Sequence, residues 1–520
     1  MENFNNFIQT HFKISLMFFA LGLIFGLIYS INLLGFSINS QTLYPSNVRA
    51  LHISLMLYGF VPLMLSYLPF LLINKEVGSS LKGIYFLNLY TLFWYIFLIF
   101  MISSLLFGNT RGLAFYDFPY ELNFILAFAG VFYIFALYNF IQQYKVYPLW
   151  VKVCLRVVII APITLLILMN PIIGQVESTV SGPHGDNTLG MSLALIPLYY
   201  LIIKLLNKGE FIARWNILWI IPTVFYFSSV LYRIFFEPLT YNQEWFLQYL
   251  TLLYVPLLYR WYKDANIESF AKLSLLISIV AFLFVDIEGN IIFIPEIRWL
   301  FHRNDLVVAH AHVAMGIGVF FMALCMFTSY IKELKKISFY FTYLLGLVGI
   351  FVSLSISGFI QSGLIKINIE ILWTLRSLFG LITISSLLFF IKYKYSFTNL
   401  QKYNLMGVLS DGFGGVGLIL LGSYIYPLLG FSFTNSYEYV VFAFVSMTGV
   451  LHFMALKYKE HEIMLTNITV IVRVFISSVF FALYISSALG IESLLIAGFD
   501  LAFVTVYLLF FYQKELLWKN

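Results

Sequence analysis

Residues that can bind a metal are concentrated in the segment His302–Gly318, which carries three of the eight histidines and opens a long apolar stretch. His310 and His312 are two residues apart, and successive residues of an α-helix are rotated by about 100°. The two imidazoles should therefore leave nearly opposite faces of one helix, separated by about 3 Å along its axis. Neutral imidazole binds haem iron, copper, zinc and non-haem iron. The spacing thus allows one helix to hold a metal centre on each side.

This histidine pair also has a simpler interpretation, in which both imidazoles are hydrogen-bonded to neighbouring helices and bind no metal. Ionisable groups inside membrane helices are rare and usually functional, which favours the metal-ligand interpretation. The residues alone leave three classes of protein open: an electron-transfer enzyme with two haems, a haem-binding quinol oxidoreductase and an ion transporter that uses histidine.

The composition predicts an all-α membrane protein. The chain has 520 residues, of which 61% are hydrophobic and 10% charged, and its mean hydropathy is +0.91. No soluble globular protein has this composition. The net charge of +6 is spread over short loops, so we interpret it as a topology signal and expect no nucleic-acid partner, only membrane lipid.

Apolar segments long enough to cross a bilayer predict about sixteen spans. Their centres lie near residues 25, 62, 94, 133, 161, 197, 224, 253, 282, 318, 350, 382, 416, 447, 477 and 502. Lys and Arg follow the even-numbered spans, which predicts that both termini are cytoplasmic. The first apolar segment has no basic region or cleavage site before it and is therefore expected to be a retained span.

This topology places several histidines at the outer ends of the second, sixth and tenth spans: His52, His184, His302, His310 and His312. Few basic residues are predicted on the outer side of the membrane, and three of them lie beside these segments: Arg49, Arg298 and Arg303. Haem propionates would suit such arginines, although a solvated loop would also explain them. The histidines on or near the cytoplasmic side are interpreted as structural or solvated: His11, His452 and His461.

Several segments resemble, in the same order, the catalytic subunits of haem–copper oxidases, and above all the cbb-type oxidases and nitric oxide reductases. They are Glu288-Gly289, His302 and His310-Ala311-His312 in the ninth and tenth spans, Arg49–His52 in the second, Ile356–Gly363 in the eleventh, Arg376 and Gly380 in the twelfth, and the outer loop Gly108–Glu121. The resemblance implies a twelve-helix core over residues 1–395, which leaves residues 396–520 as four additional transmembrane helices.

The resemblance implies two haems, of b type. His52 and His312 would bind the low-spin haem, and His310 would be the ligand of the high-spin haem at the active site. Three further residues are expected near the haem propionates: His302, Arg49 and Arg303.

Three more residues have implied roles. Tyr226 corresponds to the active-site tyrosine of cbb-type enzymes, and Asp117 to an acidic loop residue that binds calcium. Glu288 would carry protons or tune a second metal, whereas its simpler role is that of a packing carboxyl with a hydrogen bond.

The second metal site departs from the family pattern of one His from the sixth helix and a His pair from the seventh. His184 is the candidate for the first, but Tyr232-Arg233 stands where the pair is expected. Carboxylates favour iron over copper, and nitric oxide reductases pair haem with non-haem iron and glutamate. We therefore expect iron or copper held by His184 with Asp186 or Glu237. The alternative is that Asp186 caps its helix and Glu237 pairs with Arg233.

The resemblance implies a respiratory terminal reductase of the bacterial inner membrane that reduces a small gas, with nitric oxide modestly favoured. A cbb-type oxidase that reduces dioxygen and a non-catalytic haem sensor or assembly partner are the alternatives. The chain has no C-x-x-C-H haem-attachment motif. We therefore expect electrons to come from a separate cytochrome c-type subunit or from a quinol.

Overall fold

The described part of the chain is mainly helical and contains no strand. The computed structural model describes residues 2–36, 40, 42–77, 82–112, 117–143, 149–168, 185–294, 296–301, 304–331, 334–387, 398–428, 431–434 and 436–510. Twelve helices in these ranges are long and apolar enough to cross a bilayer. The predicted all-α, multi-pass membrane architecture is therefore confirmed. The count of about sixteen spans and the cytoplasmic termini stay predictions.

The chain forms two compact units, Met1–Ser37 with Pro45–Ile391 and Ile38–Tyr44 with Lys392–Asn520. We number the main helices of the first unit α1 to α12. They are α1 Glu2–Asn32, α2 Pro45–Glu76, α3 Ile84–Leu106, α4 Tyr120–Ile141, α5 Leu149–Leu168, α6 Gly185–Leu206, α7 Ile217–Phe235, α8 241–264 (Tyr241–Tyr249, a turn and Tyr254–Asp264), α9 Ser269–Ile292, α10 Asp305–Phe327, α11 Ile337–Gln361 and α12 Ile369–Ser386. The helices of the second unit are α13 Asn399–Pro427, α14 Tyr437–Lys457, α15 Glu462–Ile485 and α16 Ile491–Phe510.

The start of α10 is clamped by α11. Asn304 caps α10 by accepting a hydrogen bond from the Leu306 N–H at 2.9 Å, and its amide donates to the Gly358 carbonyl at 3.0 Å. Gln361 accepts a hydrogen bond from the Asp305 N–H at 2.8 Å. A Cβ at Gly358 would lie 2.6 Å from the Leu306 nitrogen, so only glycine allows this approach. The segment of α11 that resembles the family pattern thus fixes the position of the helix that carries His310 and His312.

The middle of α10 contains a π-helical turn over His312–Val319. Such a turn replaces i→i+4 hydrogen bonds by wider ones and frees carbonyl groups, which must find other donors in an apolar bundle. The Tyr343 hydroxyl donates to the Gly316 carbonyl at 2.8 Å, and the Ser278 hydroxyl donates to the Gly318 carbonyl at 2.6 Å. Side chains of α11 and α9 therefore stabilise the irregular turn that begins at His312.

Candidate functional site

His52 on α2 and His312 on α10 lie side by side. Their ring centroids are 6.1 Å apart and their planes differ by 24°. His52 Nδ1 lies 2.8 Å from the Gly22 carbonyl, and His312 Nδ1 lies 2.8 Å from the Val308 carbonyl. A ring nitrogen that faces a carbonyl carries the proton, so both imidazoles keep a lone pair on Nε2. Metal-binding histidines are commonly oriented in this way.

The distance between the two rings is compatible with one metal held between them. Metal–imidazole nitrogen bonds are about 2.0–2.1 Å long, so two rings that share one metal through Nε2 have centroids roughly 6 Å apart. The observed 6.1 Å agrees with this value. Both imidazoles are also partly accessible, although they lie within an apolar helix bundle. The spacing of His52 and His312 is compatible with the predicted low-spin haem site, and the haem itself stays a prediction.

Two glycines of α1 contribute to the position of the His52 ring. A Cβ at Gly26 would lie 2.7 Å from His52 Nδ1 and 2.8 Å from its Cε1. Gly22, one turn earlier, supplies the carbonyl that accepts the Nδ1 proton. The sequence analysis missed these residues, although the signal was present as two glycines four residues apart in the first apolar segment.

His310 leaves the opposite side of α10 and points towards α9. Its Nδ1 lies 3.3 Å from a carboxylate oxygen of Glu288. A Cβ at Gly289 would lie 3.3 Å from His310 Cε1, so the small residue lets the ring lie against α9. A carboxylate on Nδ1 fixes the tautomer and raises the basicity of Nε2. His310 is thus prepared to bind a second metal centre through Nε2.

A cavity of about 70 Å³ lies beside His310, between α8, α9 and α10. Its polar lining includes Gln248, Thr251, Asp286 and His310. The apolar lining residues are Val285, Ile292, Phe293 and Val307. One water molecule needs about 10–15 Å³ of such space, so the cavity has room for a very small ligand. The sequence analysis selected Glu288 and missed Asp286, which lies two residues earlier on α9.

Arg376 on α12 reaches the α1 side of the His52 pocket. Its Nε donates to the Ser30 hydroxyl at 2.9 Å, and Ser30 follows Gly26 by one helical turn. Its Nη2 is buried and has no hydrogen-bond partner among the described residues. A guanidinium N–H in this position would suit a carboxylate, which is the charged group of a haem propionate.

The other predicted residues near the haems have less defined positions. Arg49 is exposed on α2, one turn before His52. His302 and Arg303 lie outside the described residues, so their predicted place near the propionates stays a prediction.

The structure describes two predicted site residues on or just after α7, Tyr226 and Glu237. Tyr226 is partly buried in the middle of α7, with its ring centroid 5.6 Å from that of Phe227. Glu237 is exposed just beyond the helix and accepts a hydrogen bond from the Tyr232 hydroxyl at 3.1 Å.

The other two predicted ligands of the second metal are not fully described by the structure. His184 is outside the described residues; the backbone of Asp186 is in the first turn of α6, and its side chain is not described. Among the residues that are described, no group of three or more His, Cys, Asp or Glu side chains is placed to hold a metal. The second metal and its ligands stay predictions.

The loop before α4 buries the predicted calcium ligand. Asp117 is 3% exposed, and its carbonyl accepts a hydrogen bond from the Arg111 N–H at 2.8 Å. The Arg111 guanidinium lies 5.3 Å from the ring centroid of Phe118. The predicted role of Asp117 in calcium binding stays a prediction.

The fold is similar to that of a protein of known structure. A chain in the cryo-EM structure of a haem–copper terminal oxidase dimer matches with a TM-score of 0.53 and 10% sequence identity, over 74% of this chain and 82% of that chain. No family model and no curated protein matches the sequence. At 10% identity this similarity shows the fold alone and does not establish a function.

Proposed function

We propose that this chain is a haem-binding oxidoreductase of the haem–copper oxidase superfamily, which reduces a small gas as a terminal step of respiration. One observation supports this most directly: α10 places His312 beside His52 on one side, and His310 beside Glu288 and a cavity on the other. When bound, the two haems would supply electron transfer at the first position and gas binding at the second.

The two sides of α10 present different sets of potential haem ligands. On one side, His52 and His312 together would hold a haem that is suited to electron transfer. On the other side, His310 alone would hold a haem, next to a cavity of about 70 Å³ that could admit a small gas. Glu288 would hold the His310 ring in place and increase its donor strength.

We favour nitric oxide as the substrate, with dioxygen as the alternative. The seventh helix carries Tyr232-Arg233 where the resembling enzymes have a histidine pair for copper, and Glu237 lies just beyond it. Carboxylate ligands suit iron better than copper. A second metal would then be held by His184 with Asp186 or Glu237, near Tyr226. Electrons would come from a cytochrome c-type subunit or a quinol, in the bacterial inner membrane.

The first experiment is to purify the full chain from membranes and measure haem, total iron and copper per chain in one sample. Two haems, a third iron and no copper would support nitric oxide reduction, which would then be measured with a nitric oxide electrode. Two haems with one copper would support the dioxygen alternative. Two haems with no further metal would support a non-catalytic sensor or assembly partner. A haem-supplemented protein that binds no haem would refute the proposal.

Single histidine variants test the assignment of the two sides. We expect His52→Ala and His312→Ala to lose the low-spin optical and electron paramagnetic resonance signals. We expect His310→Ala to keep those signals and to lose carbon monoxide binding. His461→Ala, which changes an exposed histidine of the second unit, is the matched control. If every variant, including the control, lost both the low-spin signals and carbon monoxide binding, the assignment would be contradicted.

A further inference from the structure

A cluster of four ionisable side chains is buried between the helices of the second unit. Arg473 and Asp500 lie at the midpoints of α15 and α16. Asp411 lies in a π-helical turn of α13, Val408–Phe413, and His452 lies on α14. They are 1%, 8%, 2% and 0% exposed, respectively. Ionisable groups at such depth in a membrane protein are costly and usually mark a functional site.

The charges in this cluster do not balance. Arg473 donates from Nη1 to Asp500 at 2.5 Å and from Nη2 to Asp411, so one guanidinium serves two carboxylates. With both carboxylates ionised and His452 neutral, the cluster carries one uncompensated negative charge. An uncompensated charge in the membrane interior is strongly unfavourable. One bound proton would restore neutrality.

Hydrogen bonds around His452 determine which of its nitrogens is free. The Thr466 hydroxyl donates to the Glu462 carbonyl at 2.7 Å, so its oxygen accepts from the Asn404 amide nitrogen at 2.9 Å. The Asn404 amide oxygen then faces His452 Nδ1 at 2.8 Å and accepts its proton. His452 Nε2 therefore carries the lone pair. This nitrogen is buried, has no hydrogen-bond partner among the described residues and lies 4.0 Å from Asp411 Oδ2.

The unprotonated His452 Nε2 and the Asp411 carboxylate oxygen are both hydrogen-bond acceptors, so they repel each other. A proton bound between them would turn this repulsion into a hydrogen bond. Gly407 leaves room for the ring on the other side, because a Cβ there would lie 2.2 Å from His452 Cδ2. A movement of about 1 Å would bring Nε2 within hydrogen-bond distance of the carboxylate. We propose that His452 and Asp411 form a buried proton-binding site in the four-helix unit, and that the site takes up and releases one proton. This function is separate from haem binding, whose proposed residues all belong to the first unit.

Other titratable groups face the same site and belong to its electrostatic surroundings. Tyr403 of α13 packs against His452 with ring centroids 5.6 Å apart. Arg473 of α15 and Asp500 of α16 interact with Asp411, and Tyr507 of α16 packs against Tyr403. The Ser410 hydroxyl donates to the second Asp411 oxygen at 2.9 Å. A fixed network of ion pairs without proton exchange is the competing description that an experiment must separate from ours.

The test uses the full-length protein in lipid nanodiscs. Proton uptake is counted with a pH indicator during titration through the neutral range, and the carboxyl stretch is followed by infrared spectroscopy. We expect Asp411→Asn and His452→Gln each to take up one proton per chain fewer than the wild type. Glu438→Gln is the matched control, because Glu438 is a buried carboxyl of α14 that bonds Thr434 outside the cluster. Equal uptake in the wild type and both variants, or the same loss in the control, would refute the proposal.

A second measurement on the unmodified protein covers the case in which a variant does not fold. Nitrogen NMR of ¹⁵N-labelled histidine distinguishes a protonated from an unprotonated Nε2. The His452 resonance is the one that is missing from the spectrum of the His452→Gln variant, or it is identified by sequential assignment. We expect the His452 Nε2 signal to change with pH together with the infrared carboxyl band. A His452 resonance that stays constant over the whole range in which the protein is folded would overturn the proposal.

Discussion

Gly26→Ala is the sharpest test of the proposed low-spin haem position, because it adds one methyl group at a place where the structure has no room for it. The new Cβ would lie 2.7 Å from His52 Nδ1. Ordinary contacts of a Cβ atom begin near 3.4 Å, so the ring must retreat by about 0.7 Å. Its hydrogen bond to the Gly22 carbonyl, now 2.8 Å long, would then approach or exceed the length at which such bonds are lost.

The expected cost follows from three contributions. The strain of adding a methyl group to a packed site is about 1–3 kcal/mol, and the lost hydrogen bond adds about 1 kcal/mol. Alanine is favoured over glycine in a helix by about 1 kcal/mol, which offsets part of this cost. We therefore expect a net destabilisation of about 1–3 kcal/mol at the His52 side. Loss of a group that orients a metal ligand typically lowers metal affinity or activity by about 10–100-fold.

The assay is haem content and low-spin signal per purified chain. Gly380→Ala is the matched control, because Gly380 also lies in a helix of the first unit and the nearest side-chain atom to a Cβ there is 3.6 Å away. We expect the control to keep the low-spin haem and Gly26→Ala to lose most of it, while carbon monoxide binding at the His310 side is retained. A Gly26→Ala protein with a full low-spin signal would refute the assignment of His52.

Three further substitutions have defined outcomes. Glu288→Gln removes the negative charge beside His310, so we expect haem content to be kept and gas-reduction activity to fall by about 10–100-fold; unchanged activity and an unchanged iron–histidine Raman band would contradict this. Asn304→Ala removes the cap of α10 and should lower stability by about 1 kcal/mol in chemical unfolding; an unchanged unfolding midpoint would argue against the clamp. Arg473→Gln leaves two buried carboxylates unpaired and should destabilise by about 3–5 kcal/mol, whereas the exposed Lys457→Gln should not; equal midpoints for the two would show that the ion pairs are not structurally important.

The sequence predicted features that depend on local geometry. The two-residue spacing of His310 and His312 predicted opposite faces, and the structure places one ring beside Glu288 and the other beside His52. The composition predicted an all-helical membrane protein, and twelve described helices meet that description. These predictions succeed because helical rotation and hydrophobic length are properties of a segment by itself.

The sequence could not show which partners lie across helix interfaces. Gly26 was not selected, because its importance depends on a ring carried by another helix. Asp286 and Glu288 are two residues apart on α9, and only the rotation of that helix decides that Asp286 lines the cavity while Glu288 bonds His310. His452 was interpreted as structural or solvated; the structure buries it fully, which excludes the solvated alternative, and places it close to Asp411. Hydropathy alone does not fix rotation about the helix axis.

The clamp at the start of α10 connects the two proposed haem positions. His310 and His312 are separated only by Ala311, so a rotation of α10 about its axis must move both imidazoles at once, and in opposite directions. The hydrogen bonds of Asn304 and Gln361 restrict this rotation at the start of the helix. We therefore expect Asn304→Ala to disturb the low-spin signal and gas binding together, whereas Gly26→Ala disturbs only the first. A difference between these two patterns would separate an effect on helix position from an effect on a single ligand.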